Sequence, residues 1–92
     1  MNLYKLSQTA NVDYDTYDSC IVAAESEQEA KKIHPSENCP DSYDENYGEE
    51  ASDMSWFYLR SWTRQRNVKV ELVGVAIEGT KKGVILASFN AG

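Results

Sequence analysis

The chain has 92 residues, of which 41% are hydrophobic and 11% aromatic, and its formal net charge is -6. This length fits one domain with a modest core, and the aromatic content argues against intrinsic disorder. The acidic balance argues against direct binding to nucleic acid or to a membrane surface. No stretch has the ~20 apolar residues of a membrane-spanning helix, and the first residues lack a signal-peptide pattern, so we expect a cytoplasmic protein.

The N-terminal residues predict two paired strands. Residues 3–9 form a strand candidate in which Tyr4 and Leu6 share one face under period-two spacing. Residues 11–16 have turn chemistry, because Asn and Asp side chains bond to their own backbone. The apolar run within 17–24 then predicts a second strand, which returns beside the first as a hairpin.

A short helix follows the second strand. Ser26 and Glu29 have the spacing of a capping box, in which the serine hydroxyl accepts from the glutamate amide. The pattern predicts roughly two to three helical turns that end before Pro35. Ala30 and Ile33 would face the sheet.

The C-terminal third predicts two further strands. Residues 68–77 alternate before becoming apolar on both faces, and residues 84–89 form a last strand candidate. The glycine-containing turn at 79–83 between them predicts a second hairpin. The expected fold is therefore one α+β domain over residues 1–92. It has a small antiparallel sheet of about four strands in the order β-β-α-β-β. One helix packs on the sheet, and an acidic insert separates this helix from the third strand.

The charges are strongly segregated along the chain. Residues 6–59 hold thirteen carboxylates against two lysines, whereas residues 60–92 hold six basic and two acidic residues. The acidic insert, residues 36–55, has no hydrophobic period, and a solvated loop without a partner is one interpretation. The other is a docking surface, because spaced carboxylates imitate a nucleic-acid backbone and tyrosines anchor interfaces. The candidate partner-binding residues are Asp41, Tyr43, Asp44, Glu45, Tyr47, Glu49, Glu50, Asp53 and Trp56.

The boundary between the insert and the third strand is ambiguous. Residues 48–62 fit a short helix, whereas residues 56–60 alone fit a strand. The aromatic residues there fit either core packing or an exposed patch. Arginines follow these aromatic residues, and arginines bind phosphate and stack on aromatic rings. This boundary therefore contains a second candidate site, for a small ligand or a homodimer contact. Its residues are Arg60, Trp62, Arg64 and Arg66.

The sequence contains no set of residues typical of catalysis or metal binding. His34, the only histidine, precedes Pro35 at the helix end, where a positive charge favours the helix dipole. Cys20 lies in an apolar run and is typical of a buried hydrophobe. Neither 11–22 nor 44–55 has the glycine and glutamate positions of a calcium loop. We therefore predict no enzyme, no metal and no cofactor.

Three stretches, residues 14–19, 24–35 and 83–92, resemble a group of short uncharacterised proteins encoded by bacteriophages and prophages. The resemblance covers both ends of the chain and leaves out residues 36–61. It implies a phage-derived accessory protein that acts in the cytoplasm of a bacterial host. The chain is also similar to small anti-CRISPR and anti-restriction proteins in its size, its charge and its lack of a catalytic set.

These observations favour a non-catalytic inhibitor of a bacterial defence system. Its acidic surface would compete for a basic, nucleic-acid-binding groove on a host protein. One alternative is an oligomeric protein that binds a nucleotide signal through its arginines. Another is a phage adaptor that binds a host or virion protein by a sheet edge.

Overall fold

The computed structural model describes residues 1–12, 15–36 and 58–90, which form a four-stranded antiparallel sheet with short helical segments on it. The strands are β1 (Asn2–Ser7), β2 (Thr16–Ala24), β3 (Lys69–Val75) and β4 (Gly83–Asn90), in the spatial order β3-β1-β2-β4. Helix α1 (Glu27–Lys31) follows β2, residues 58–61 are helical, and a 3₁₀ turn occupies Gln65–Asn67. The predicted α+β class and four-stranded antiparallel sheet are confirmed.

The predicted hairpin between the first two strands is also confirmed. Tyr4 lies opposite Val22, and Leu6 lies opposite Cys20, and all four of these side chains are buried. The connecting turn includes Asp15 with a φ of 60°, a left-handed conformation that aspartate tolerates better than most residues. The period-two reading of the first strand therefore identified the correct buried face.

The predicted hairpin between the last two strands is wrong. β3 pairs with β1 and β4 pairs with β2, so these strands form opposite edges of the sheet. The local turn does form, since Thr80 N donates to Ile77 O at 3.2 Å and Gly79 has a φ of 90°. The chain then crosses the end of the sheet. This topology gives both strands of the first hairpin a partner on each side, whereas a β3–β4 hairpin would leave β1 or β2 at an edge.

Helix α1 is shorter than predicted. Ser26 accepts a hydrogen bond from Glu29 N at 3.2 Å, as the capping box predicts, but the Glu29 carboxylate accepts from Glu25 N. The helix ends at Lys31 because the next amides bond three residues back. Ile33 N, for example, donates to Ala30 O at 3.0 Å, which tightens the last turn.

The core lies on one face of the sheet, beneath α1 and the helical residues 58–61. Tyr58 and Trp62 are buried in it, four residues apart on one side of the chain, which favours the helical interpretation of this boundary. Residues 48–57 lie outside the described residues. The core cluster comprises Tyr4, Leu6, Cys20, Val22, Ala24, Ala30, Ile33, Tyr58, Trp62 and Val68.

The described residues include no helix that is both long and apolar enough to cross a membrane.

Candidate functional site

The first predicted site, the carboxylates and aromatics between positions 41 and 56, lies outside the described residues. The scaffold on either side of that stretch is described. Ser36 N donates to His34 Nδ1 at 3.0 Å, and His34 Nε2 lies 2.8 Å from Tyr58 O. The His34 and Tyr58 rings also meet edge to face, with centroids 5.2 Å apart. Ser36 and Tyr58, the described residues on either side of this stretch, are therefore both held by His34 and lie at one point of the scaffold.

His34 is held in one neutral form by these contacts. Because Nδ1 accepts a hydrogen bond, the proton of the neutral ring lies on Nε2, which donates to the carbonyl of Tyr58. Burial lowers the pKa of His34 to about 4, and the hydrogen bond to Tyr58 only partly opposes this effect. The histidine is therefore uncharged at neutral pH. Its predicted structural role agrees with these contacts, but its predicted positive charge at the helix end is wrong.

The second predicted site forms a groove of about 340 Å³. Arg60, Arg64 and Arg66 all line it, although they come from the helical residues 58–61, the segment after them and the 3₁₀ turn. Arg60 and Arg66 are exposed, and Arg64 is half-buried. The structure thus brings together three predicted cations on one concave surface of an otherwise acidic chain, and guanidinium groups are well suited to binding phosphate or carboxylate.

Trp62 borders the groove but does not present its ring to it. The side chain is fully buried in the core, so its ring is not placed to contact a molecule bound in the groove. Among the described residues, its buried indole Nε1 has no hydrogen-bond partner. The ring therefore supports the groove from beneath.

Two residues that the sequence interpretation missed shape the groove. Asn11 Nδ2 lies within hydrogen-bond distance of three carbonyl oxygens, those of Leu59 (3.2 Å), Arg60 (2.7 Å) and Trp62 (2.9 Å). It caps the end of the helical segment, where carbonyls lack partners in the helix. Buried Gln8 holds Asn11 by donating to its carbonyl at 2.6 Å and accepting from its amide at 2.7 Å. The preference of Asn for local backbone bonding was the only sequence signal.

Cys20 is the cysteine within the described residues, and it lies in the core. Burial raises the pKa of the Cys20 thiol to about 12, so this cysteine is a packed core residue and not a thiolate nucleophile. The described ranges contain no cluster of three or more His, Cys, Asp or Glu side chains placed to hold a metal ion. Cys39 lies outside those ranges.

The chain was compared with protein-family models, with curated proteins and with solved structures. It matches no family model, no curated protein and no solved structure.

Proposed function

We propose that this chain is a non-catalytic inhibitor that binds a bacterial host protein through the acidic stretch between Ser36 and Tyr58. The target is a defence protein with a basic groove that handles nucleic acid. The observation that carries the proposal is the charge pattern: residues 37–53 contain seven carboxylates and no lysine or arginine. Such a stretch attracts a positive groove in the same salt-dependent way as a phosphate backbone does.

The scaffold supports this role by holding the two flanks of the acidic stretch in place. The His34–Tyr58 contacts fix both flanks of the acidic stretch to one point on the helical face of the sheet. Fixed ends reduce the conformational freedom that binding would otherwise remove, so a larger part of the electrostatic attraction appears as affinity. The uncharged state of His34 means that this attachment does not depend on pH near neutrality.

The test changes charge without changing size. In the test variant Asp41, Asp44, Glu45, Glu49 and Glu50 become the corresponding amides. The immobilised chain captures its target from a bacterial lysate, and the affinity for that target is measured at about 50 and 200 mM salt. We expect the variant to bind at least ten times more weakly than the parent and to lose most of the salt dependence.

The matched control carries the same number of amide substitutions at exposed carboxylates of the described scaffold, Asp18, Glu25, Glu27, Glu71 and Glu78. It should retain most of the parent's affinity. Equal affinity of the test variant and the parent, or equal loss in both variants, would contradict a role for the acidic stretch.

The arginine groove favours a second function, the binding of a small phosphate-bearing molecule such as a nucleotide signal. Three guanidinium groups line one groove of about 340 Å³, a volume in the range of small-molecule sites. Asn11 and Asn67 also line the groove. Since Trp62 is buried, recognition would depend on the phosphate and not on stacking of a base.

Thermal unfolding in the presence of ATP, GTP and cyclic dinucleotides tests this second function. A ligand at one hundred times its Kd stabilises the fold by ~2.7 kcal/mol, which raises the Tm of a chain of this size by roughly 10–20 °C. Joint replacement of Arg60 and Arg66 by alanine should abolish the shift, whereas replacing Lys81 and Lys82, which lie outside the groove, should preserve it. If no compound shifts the Tm of the parent chain, the groove does not bind nucleotides.

A further inference from the structure

Strand β3 forms one edge of the sheet. One side of this strand pairs with β1, and no strand within the described residues pairs with its other side. An edge of this kind presents unpaired backbone N–H and C=O groups, which can pair with a further strand. The side chains along the edge then decide which strand fits it.

The residues from 68 to 72 alternate between apolar and charged side chains. Val70 and Leu72 lie opposite residues of the core cluster on β1, so they face the helical side of the sheet. Lys69 and Glu71 point to the other face, where both are exposed. The order is symmetric about Val70 in its apolar residues and antisymmetric in its charges. Such a segment is complementary to itself when two copies run antiparallel.

We propose that two copies of this chain dimerise by pairing their β3 edges antiparallel, about a two-fold axis at Val70. Lys69 then lies opposite the partner's Glu71, and by symmetry Glu71 lies opposite the partner's Lys69. Unlike charges that lie directly opposite each other stabilise a strand pair, whereas like charges destabilise it. A two-fold axis at Lys69 or at Glu71 would set like charges against each other. The charges therefore select both the occupant and the register.

The pairing within each copy extends this row of charges. Lys5 on β1 lies opposite Glu71. In the dimer, Glu71 therefore lies between Lys5 on one side and the partner's Lys69 on the other. Positive and negative side chains then alternate across the junction of the two sheets, and both helical faces lie on the same side of one continuous sheet.

A groove beside this edge receives the apolar side chain that the same register places there. The groove has a volume of about 300 Å³, and Val68 and Val70 line it together with three residues of α1, namely Glu27, Gln28 and Lys31. The partner's Leu72 lies opposite Val68 in this register, next to the groove. Leu72 is 58% exposed in the single copy, so the dimer covers an apolar side chain that the monomer leaves in water.

The small size of the contact sets its expected strength. Interfaces that bury less than about 1,200 Å² in total are typical of weak, reversible complexes, and one strand pair belongs to this class. We therefore expect a Kd of the order of 10 to 100 μM. This inference depends on neither of the functions proposed above, because it uses no residue of the acidic stretch and no arginine of the groove.

The experiment is sedimentation equilibrium of the full chain from roughly 1 to 500 μM, where the parent should shift from monomer to dimer. Lys69→Glu sets carboxylates opposite carboxylates, and Glu71→Lys sets ammonium groups opposite ammonium groups. Each variant alone should raise the Kd roughly tenfold or more. An equimolar mixture of the two variants should dimerise nearly as well as the parent, because every charge on one copy then meets its opposite on the other.

The matched controls make the same changes of net charge away from the edge. Lys81→Glu and Glu78→Lys alter exposed residues after β3. Each should leave the Kd close to that of the parent, and mixing them should add nothing. Leu72→Ser changes no charge, but it removes the apolar contact and should weaken the dimer. Circular dichroism checks that each variant remains folded.

A parent chain that stays monomeric throughout the concentration range would overturn the proposal. So would a dimer that tolerates both Lys69→Glu and Glu71→Lys, since the contact would then lie elsewhere on the chain. Failure of the mixture to restore association, or equal weakening by the controls, would show that the two charges do not meet across the interface. The parent measurement needs no substitution, so the proposal remains testable even if a variant fails to fold.

Discussion

Replacing Trp62 by alanine is expected to destabilise the fold by about 3–5 kcal/mol, the usual cost of removing a large aromatic side chain from a core. Trp62 is fully buried and belongs to the single core cluster of the described residues. A domain of this length has a total free energy of unfolding of roughly 5–14 kcal/mol, so the loss is a large fraction of the whole. Urea unfolding monitored by circular dichroism measures it.

Trp62→Phe is the informative companion variant. Phenylalanine keeps most of the buried ring surface and removes the indole N–H, which is buried and has no hydrogen-bond partner in the part of the chain that the structure describes. Burying an unpaired donor costs about 1–3 kcal/mol, so its removal offsets part of the lost packing, and we expect a net cost below about 1.5 kcal/mol. If Phe and Ala were equally damaging, the indole nitrogen would be making an important hydrogen bond, contrary to the structure.

Acidification is expected to weaken the fold through His34. Burial lowers the pKa of His34 to about 4 from an ordinary value of 6.5. Between these two values the unfolded chain binds a proton at this position that the folded chain does not bind, so stability falls as the pH falls. The stability that comes from keeping His34 neutral is fully present above about pH 6.5 and is lost as the pH falls to about 4. It amounts to about 3 kcal/mol over that window.

The measurement is the free energy of urea unfolding at several pH values between 4 and 7.5, in the parent and in His34→Gln. Glutamine carries an amide that can donate to the Tyr58 carbonyl, but it does not titrate. We expect the variant to lose most of the slope below pH 6.5, whatever its absolute stability. If the slope persists unchanged in His34→Gln, the titrating group lies elsewhere in the chain.

Local patterns in the sequence predicted the elements that depend on near neighbours. Tyr4 and Leu6 alternate on the buried face as expected, and Ser26 caps the helix as expected. The position of β4 was not predictable in this way. Its turn at Gly79 looks the same whether the chain folds back on β3 or crosses to β2, and the choice depends on which edge of a distant hairpin needs a partner.

The same difference between near and distant contacts in the sequence applies to the residues of the candidate sites. Arg60, Arg64 and Arg66 are close in sequence, so their meeting in one groove could be predicted. The role of Asn11 depends on carbonyls about fifty residues away, and no pattern within the sequence indicates such a contact. The charge of His34 was mispredicted for a related reason, because its burial depends on the packing of Tyr58 from beyond the acidic stretch.

The placement of β3 and β4 on opposite sides of the first hairpin has a consequence for how the chain folds. β4 pairs with β2, and Thr16 lies opposite Asn90. The first hairpin therefore lacks its neighbour on the β2 side until residues 83–90 are available. Folding therefore requires closure of long loops, and such topologies form more slowly than sheets built from successive neighbours. During synthesis on the ribosome, β2 remains an unpaired edge until the last strand emerges, which makes this interval the time at which aggregation is most favoured.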